Sequence, residues 1–410
     1  MRFFLFRVVI LLLSIGFFSA FYNFATLGRA VRQSFDDVSL VDAMSGFSEE
    51  ELEFFDTRIS ELIQTRNFNG QILVARNGNI LFNRTYGYAD FRTKAPITHE
   101  TQFQLASITK TFTAAAVLLL HQQGHLHIDS LVVSYIREFP YNTITVRNLL
   151  NHTSGVQNYM WIMERYWKTN RLATNEDMLQ TFIRLQRPLD FVPGTRFAYS
   201  NTGYAFLALI VERVSGQRFP DFLQQHIFAP LHMHNTLVKD PINGLNPANR
   251  AMGFRQTRSG HVLVLQSPHE GVVGDKGIFS TAVDLFKWDR AIASNQILAE
   301  HLWSEAFNRS VLANQNTVNY GLGWRLQSFL EQRIVHHPGR WSGFRTAFKR
   351  YIDTDATLIV LSNNSMNVGT LAQELQQVLF HNDKTNPGSE TVAEEEDQER
   401  AASTTDASDM

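Results

Sequence analysis

Leu105-Ala106-Ser107-Ile108-Thr109-Lys110 leads into an Ala- and Leu-rich run, Ile108–Gln122, which Gly124 closes. That composition and that stop predict a buried helix with Ser107 at its start. Residues three apart share one helical face, so the Lys110 amine would lie one turn from the Ser107 hydroxyl. An unactivated serine is a poor nucleophile and needs a base in contact with it. A desolvated amine with lowered pKa is able to take the serine proton. The free N–H groups and positive dipole of a helix N-terminus favour an alkoxide or oxyanion beside them. Ser-x-x-Lys is nevertheless a short pattern that chance also produces, and it needs company.

Two later stretches supply it. Phe197-Ala198-Tyr199-Ser200-Asn201 follows a Pro193-Gly194 turn and precedes a third apolar helix, Gly203–Val214, stopped near Gly216. A phenol near a cationic lysine can shuttle protons, and the Asn201 amide can hold both the lysine and a substrate carbonyl. His336-His337-Pro338-Gly339-Arg340 then falls between two strand-like runs. Gly339 on a strand edge would let a substrate backbone approach, and one of the adjacent histidines could hydrogen-bond the tyrosine or the leaving group. Taken singly, each stretch reads as well as a core tyrosine, a helix-capping asparagine or a structural histidine pair.

Around these stretches the chain reads as α+β. Gln71–Ala75 and Ile80–Tyr86 are short β-rich runs joined by Arg76-Asn77-Gly78-Asn79, a hairpin turn. Thr145–Leu150 starts a further helix, and Ser280 or Thr281 caps another over Ala282–Ala293, with Asp284 placed to close a capping box. Strands return at Gly321–Leu326, Arg333–His337, Phe344–Tyr351 and Ala356–Ser362, followed by a helix over Val368–Phe380. Strands at both ends with helices between them predict an antiparallel sheet built from both termini and flanked by helices, plus a mainly helical second lobe. The catalytic body would span residues 49–380.

The order and context of the three stretches resemble the serine β-lactamase and penicillin-binding superfamily, in its class C-like branch that also holds D-aminopeptidases and esterases. Ser107 and Lys110 match its Ser-x-x-Lys, and Tyr199 and Asn201 its Tyr-x-Asn. His337-Pro338-Gly339 falls where members carry Lys-Thr-Gly or His-x-Gly. Leu149–Gly155, Tyr199–Glu212, Gly277–Trp288 and Tyr320–Trp324 also read as this branch does. The resemblance implies that Ser107, deprotonated by the Lys110/Tyr199 pair, attacks an amide, lactam or ester carbonyl and forms an acyl-enzyme. Asn201, His337, Gly339 and Arg340 would contact the substrate, the oxyanion lying between the backbone N–H groups of Ser107 and Arg340. Which of Lys110 and Tyr199 is the base stays open, because coupled groups share their titration. No cofactor is implied.

Two departures from the pattern bear on the substrate. His337 replaces the usual lysine, which weakens recognition of a substrate carboxylate or makes it pH-dependent, and favours an esterase or peptidase over an efficient β-lactamase. Gly274-Asp275-Lys276-Gly277 carries charges where relatives have small residues; it reads as a surface-loop pair, with Lys276 as a substitute substrate-binding charge the rival reading.

The rest of the chain narrows the partners. A formal net charge of −2 gives no basic face for nucleic acid. The absence of cysteine excludes disulfides, cysteine nucleophiles and thiolate metal sites. Arg2 and Arg7 precede an apolar run, Val8 to Tyr22, which reads as a secretory signal or an uncleaved membrane anchor within residues 1–30. Either implies export, to the periplasm or the outer face of a membrane; the partner expected from the resemblance is a small-molecule or peptide substrate, a cell-wall-derived one among the options. Residues 384–410 hold eight Asp/Glu against two Lys/Arg and few large apolar side chains, and read as a solvated acidic tail. His125-Leu126-His127-Ile128-Asp129 has a His-x-His-x-Asp pattern but lacks the second-cluster histidine that a dinuclear zinc site wants, so no metal is expected. His152, beside Thr153 and Ser154, is read as structural. The rival from another class is a catalytically weak penicillin- or peptidoglycan-binding protein or sensor that uses the pocket only to bind.

Overall fold

The computed structural model describes residues 47–381, apart from 67, 241–243, 245 and 266. The readings of residues 1–30 as leader or anchor and of 384–410 as a tail lie outside the described residues. Among the described residues no helix is long and apolar enough to cross a membrane.

Ser48 starts α1 (Glu49–Gln64) through a capping box with Glu51. β1 (Gly70–Arg76) and β2 (Asn79–Tyr86) follow. Their two-residue turn has Asn77 and Gly78 at φ +51 and +73, the positive pair that matches the twist of a hairpin. Then come α2 (Thr109–Gln122), α3 (Asn201–Ser215) and α4 (Ala282–Ala293), with shorter helices between them. Four strands, β3 (Arg325–Phe329), β4 (Gln332–Trp341), β5 (Phe344–Tyr351) and β6 (Ala356–Ser362), lead to α5 (Val368–Leu379). The main sheet runs β3-β4-β5-β6-β1-β2 and every neighbour is antiparallel. The N-terminal hairpin therefore docks on the C-terminal strand β6, as a sheet built from both ends requires.

Alternation divides the interior into two cores. Ile72 and Val74 of β1, with Leu358 and Val360 of β6, face Phe55, Ile59 and Ile63 of α1 and Leu371 and Leu375 of α5. Leu73, Ile359 and Leu361 point the other way, into the larger core with α2, α3 and α4. Because both faces are covered, β1 and β6 are almost wholly buried and read as continuous apolar runs. Every residue of α2 from Thr109 to Leu120 is buried, so this helix is the axis of the helical lobe.

Two local expectations are corrected. The strand expected at Gly321–Leu326 begins only at Arg325. Gly323, at φ +88, instead lets the chain pass close against α2, where a Cβ would collide with Ala114. Thr281, not Ser280, caps α4, and Asp284 does not close the box. Its Oδ2 accepts from Asn235 N–H and the Thr236 hydroxyl instead.

Candidate active site

A small sheet fixes the approach to Ser107. Phe103–Gln104 pairs with Ile278–Ser280, and Leu105 N–H donates to Ile278 O at 2.8 Å. The chain then turns through Ala106 at φ +51, a left-handed conformation that costs a non-glycine residue about 1–2 kcal/mol. The result is a single 3₁₀ turn, Ala106–Ile108, leading into α2. Ser107 sits partly exposed in that turn rather than at the first α-helical position.

Lys110, one turn on, is fully buried. Its Nζ reaches Ser107 Oγ at 3.3 Å, Asn201 Oδ1 at 2.7 Å and the Asp275 carbonyl at 3.0 Å. It also stands 4.9 Å from the centre of the Tyr199 ring. Three stretches distant in the chain, around Ser107, Asn201 and Asp275, thus converge on one amine, and the amine predicted from sequence lies against both the Ser107 hydroxyl and the Tyr199 ring. Asn201 is the first residue of α3, placed by its neighbour Ser200, whose hydroxyl caps the helix by accepting from Gly203 N–H.

Tyr199 has a shell that the sequence did not single out. Arg325 lies 5.2 Å from its ring centre, so two cations contact one aromatic face system. His152 packs against Tyr199, Tyr204 and Tyr320, and its Nδ1 accepts from Ser200 N–H at 3.1 Å. Burial, then the charges of Lys110 and Arg325, hold its pKa well below the usual histidine value. It is structural, as read, but it is the structure around the tyrosine. The signal was present: His152 and Tyr320 lie in the stretches Leu149–Gly155 and Tyr320–Trp324 that carry the resemblance.

His337 faces the tyrosine, as one of the adjacent histidines was expected to, but differs from its expectation as a substrate contact. It is fully buried, and Nδ1 lies 2.7 Å from the Pro338 carbonyl, which can only accept. Nδ1 therefore carries the hydrogen, and Nε2 is left to accept from Tyr320 OH at 3.2 Å and face Tyr199 OH at 3.5 Å. Burial, then Arg325 and Lys110, depress its pKa well below the usual value. A neutral imidazole so enclosed does not bind a substrate carboxylate, and its titration does not fall in the neutral range. It supports the tyrosines instead.

Gly339 also serves a different purpose from the one expected. A Cβ on it would collide with the Leu105 carbonyl and the Thr346 hydroxyl. The missing side chain admits the protein's own Ser107 turn, not a substrate backbone. Arg340 follows on the strand, with its side chain exposed. Ser342 and Gly343, at φ +42 and +86, make a two-residue hairpin between β4 and β5. The flanking pair Trp341/Phe344 then exchanges both ladder bonds, the next pair Arg340/Arg345 exchanges none, and the Arg340 N–H points out of the sheet. The β3 partner of β4 has ended by His336, so that edge is open. Pro338 falls on the same outward side, where its missing N–H costs no ladder bond.

The stretch Gly274–Gly277 is corrected outright. Asp275 and Lys276 are buried, 1% and 2% exposed, and not a surface pair. Lys276 Nζ donates to Tyr159 OH at 3.0 Å, His269 O at 3.0 Å and Val272 O at 2.7 Å, with Asp275 Oδ1 at 3.7 Å. With its three hydrogens taken, this ammonium is not offered to a substrate. Tyr159 OH donates onward to Asp275 Oδ2 at 3.1 Å, and the Asp275 carbonyl is the one that holds Lys110. As for the histidine motif, the Asp129 carboxylate is gripped by the Arg147 guanidinium at 2.5 and 2.8 Å. Among the described residues no group of three or more His, Asp and Glu gathers to hold a metal.

A family model described as Beta-lactamase matches residues 55–381. The chain belongs to the beta-lactamase family. Among curated relatives, Penicillin-binding protein 4* of Bacillus subtilis is 36% identical over 320 residues, covering 75% of this chain and 70% of the relative. A D-aminopeptidase of Brucella canis is 26% identical over 307 residues, covering 75% of this chain and 58% of the relative. The crystal structure of a penicillin-binding protein from Bacillus halodurans superposes with a TM-score of 0.68 at 26% identity, covering 80% and 98% of the two chains. This beta-lactamase-family chain is a serine hydrolase with the α+β fold of that family.

Proposed function

We propose that the protein cleaves amide or ester bonds through an acyl-enzyme on Ser107, with D-amino-acid amides, short cell-wall-derived D-peptides and acyl esters as substrates and β-lactams as poor ones. The observation that carries this reading is the hydrogen-bond set of Lys110. A neutral amine has two N–H groups and one lone pair. Asn201 Oδ1 and the Asp275 carbonyl are pure acceptors and would take the two N–H groups, leaving the lone pair for the Ser107 O–H at 3.3 Å. After transfer the ammonium donates to all three without moving.

Ser107 Oγ then attacks the carbonyl carbon, and the carbonyl oxygen takes the negative charge between the N–H groups of Ser107 and Arg340. Tyr199, set beside Lys110 and Arg325, relays the proton to the leaving group and later draws one from the incoming water. His337 and Tyr320 hold the phenol in place. Because the third-motif position carries a neutral imidazole instead of a lysine, substrates that depend on a paired carboxylate lose an anchor. The D-aminopeptidase among the relatives supports amide cleavage, and the basic-then-apolar run at residues 2–22 supports action outside the cytoplasm.

Intact mass after brief exposure to p-nitrophenyl acyl esters, D-alanyl amides and benzylpenicillin tests the reading. Turnover of the first two, with an acyl adduct absent from Ser107→Ala, is the expected result. A stable penicilloyl adduct with no turnover of any substrate would favour the binding-protein alternative, and no adduct from any of them would overturn both.

A further inference from the structure

Glu270 reaches both chain segments that supply the oxyanion donors. It lies in a single 3₁₀ turn, Pro268–Gly271, which Ser267 caps by accepting from His269 N–H. The residue is buried, 4% exposed. Its Oε1 accepts from the Trp341 indole N–H at 2.6 Å and from the Ser342 hydroxyl at 3.2 Å. Its Oε2 lies 3.5 Å from the Gln104 amide nitrogen and 3.9 Å from Lys239 Nζ. Trp341 is the residue after Arg340, and Gln104 stands three residues before Ser107. Hydrogen bonds to a carboxylate are short and strong, so Glu270 is a firm tie between the two.

The turn that Glu270 grips is the one that aims the Arg340 N–H. Ser342 sits at φ +42, in the left-handed region that a serine keeps only when its surroundings hold it there. Its hydroxyl on Glu270 is one such hold. Trp341 shares a sheet face with Gly339 by strand alternation, and Lys276 Nζ stands 5.1 Å from the centre of its ring. The loop 267–277 thus reaches the hairpin twice, through Glu270 and Lys276, and reaches Lys110 through the Asp275 carbonyl. An oxyanion hole stabilises charge only with donors already aimed before the reaction begins. Here the two donors belong to separate segments, and something must fix one against the other.

We propose that Glu270 is a positioning residue of the oxyanion site, fixing the Trp341-Ser342 turn, and with it the Arg340 N–H, against the strand that leads to Ser107. The inference rests on the acyl-enzyme chemistry proposed for Ser107 and carries it one layer outward. Being buried, Glu270 acts through the backbone and not by contact with reacting atoms. Its loss therefore weakens transition-state stabilisation more than substrate binding. Acylation and deacylation both pass through an oxyanion, so kcat falls whichever step limits.

The test measures kcat and KM on a p-nitrophenyl acyl ester, and inhibition by phenylboronic acid, for wild type, Glu270→Ala, Glu270→Gln and Trp341→Phe. Folding of each is checked by circular dichroism. A boronic acid adds to a serine hydroxyl as a tetrahedral boronate with an oxygen in the oxyanion position, so its affinity follows the state of that site. Glu270→Ala and Trp341→Phe should lower kcat about 10–100-fold with KM within about threefold, and weaken phenylboronic acid in parallel. Glu270→Gln, whose carbonyl oxygen still accepts from the indole, should recover most of the loss. Should Glu270→Ala fail to fold, Trp341→Phe decides, since it removes the N–H and leaves the carboxylate beside Lys239. A folded Trp341→Phe with kcat or phenylboronic acid affinity at the wild-type value overturns the proposal. Wild-type turnover and its loss in Ser107→Ala are read first in the same assay. Without them the acyl-enzyme reading falls; with them only the role of Glu270 is at stake.

Discussion

The carbonyl of Leu105 occupies the space that a side chain on Gly339 would fill. That carbonyl is also pinned from β5, accepting from the Thr346 hydroxyl at 2.9 Å. The turn that carries Ser107 is therefore seated directly on the strand whose edge offers the Arg340 N–H. Gly339→Ala should push the two apart. Activity falls by about 100-fold or more, as misplacement of reacting groups by an ångström does. The measurement is kcat/KM on an acyl ester beside circular dichroism; unchanged kcat/KM would refute the seating.

Ser107→Ala should remove all covalent labelling by a fluorophosphonate and lower ester turnover by about 10⁴-fold or more. Lys110→Met and Tyr199→Phe should each cost about 10²–10⁴-fold, and the double variant little more than the worse single, because one proton path passes through both. Additive losses in kcat would show that the two groups act independently.

Acid should destabilise the fold through three buried histidines. His152, His336 and His337 all have pKa values depressed well below the usual 6.5 in the folded chain. Above that value the imidazoles are neutral in both states and contribute no pH dependence. As pH falls below 6.5 the unfolded chain takes up protons that the folded chain refuses, so stability is lost. Each contributes a slope of up to about 1.4 kcal/mol per pH unit. Unfolding midpoints measured from pH 7.5 down to 5 should drop steeply below 6.5, and His336→Gln should reduce the slope. A midpoint that stays flat to pH 5 would contradict the buried neutral imidazoles.

Lys276→Met should unbalance the interior. It strips a hydrogen-bond donor from Tyr159 OH, His269 O and Val272 O and leaves the Asp275 carboxylate without its counter-ion, a loss of about 3–5 kcal/mol. Because Asp275 O also holds Lys110, kcat should fall as well, with KM little changed. The double variant Asp275→Asn/Lys276→Met should regain part of the stability, since it removes both charges. A melting temperature for Lys276→Met within a degree of wild type would show that the pair carries no such weight.

Much of the fold was legible from local pattern. The hairpin at Asn77-Gly78, the apolar α2 and the runs Phe344–Tyr351 and Ala356–Ser362 lie where periodicity and turn chemistry put them. Where the pattern misled, a glycine or a charge was doing something non-local. Gly321–Leu326 has strand composition, yet Gly323 serves contact with a helix two hundred residues earlier. Asp275 and Lys276 read as surface because charged residues usually are, and only the partners brought by other elements make their burial tolerable.

By itself, the amino-acid sequence determined the chemical inventory: a serine and a lysine one turn apart, a tyrosine and asparagine ahead of a helix, and a histidine pair two residues ahead of Gly339. These follow from spacing along the chain. Tertiary structure alone decided what surrounds each group, and so its state. Burial, then the charges of Arg325 and Lys110, keep His337 neutral, the Pro338 carbonyl at Nδ1 leaves its Nε2 to accept, and three carbonyl and hydroxyl oxygens exhaust the hydrogens of Lys276. Burial and hydrogen-bond partners set the charge of a side chain, and both are supplied by residues far away in the chain.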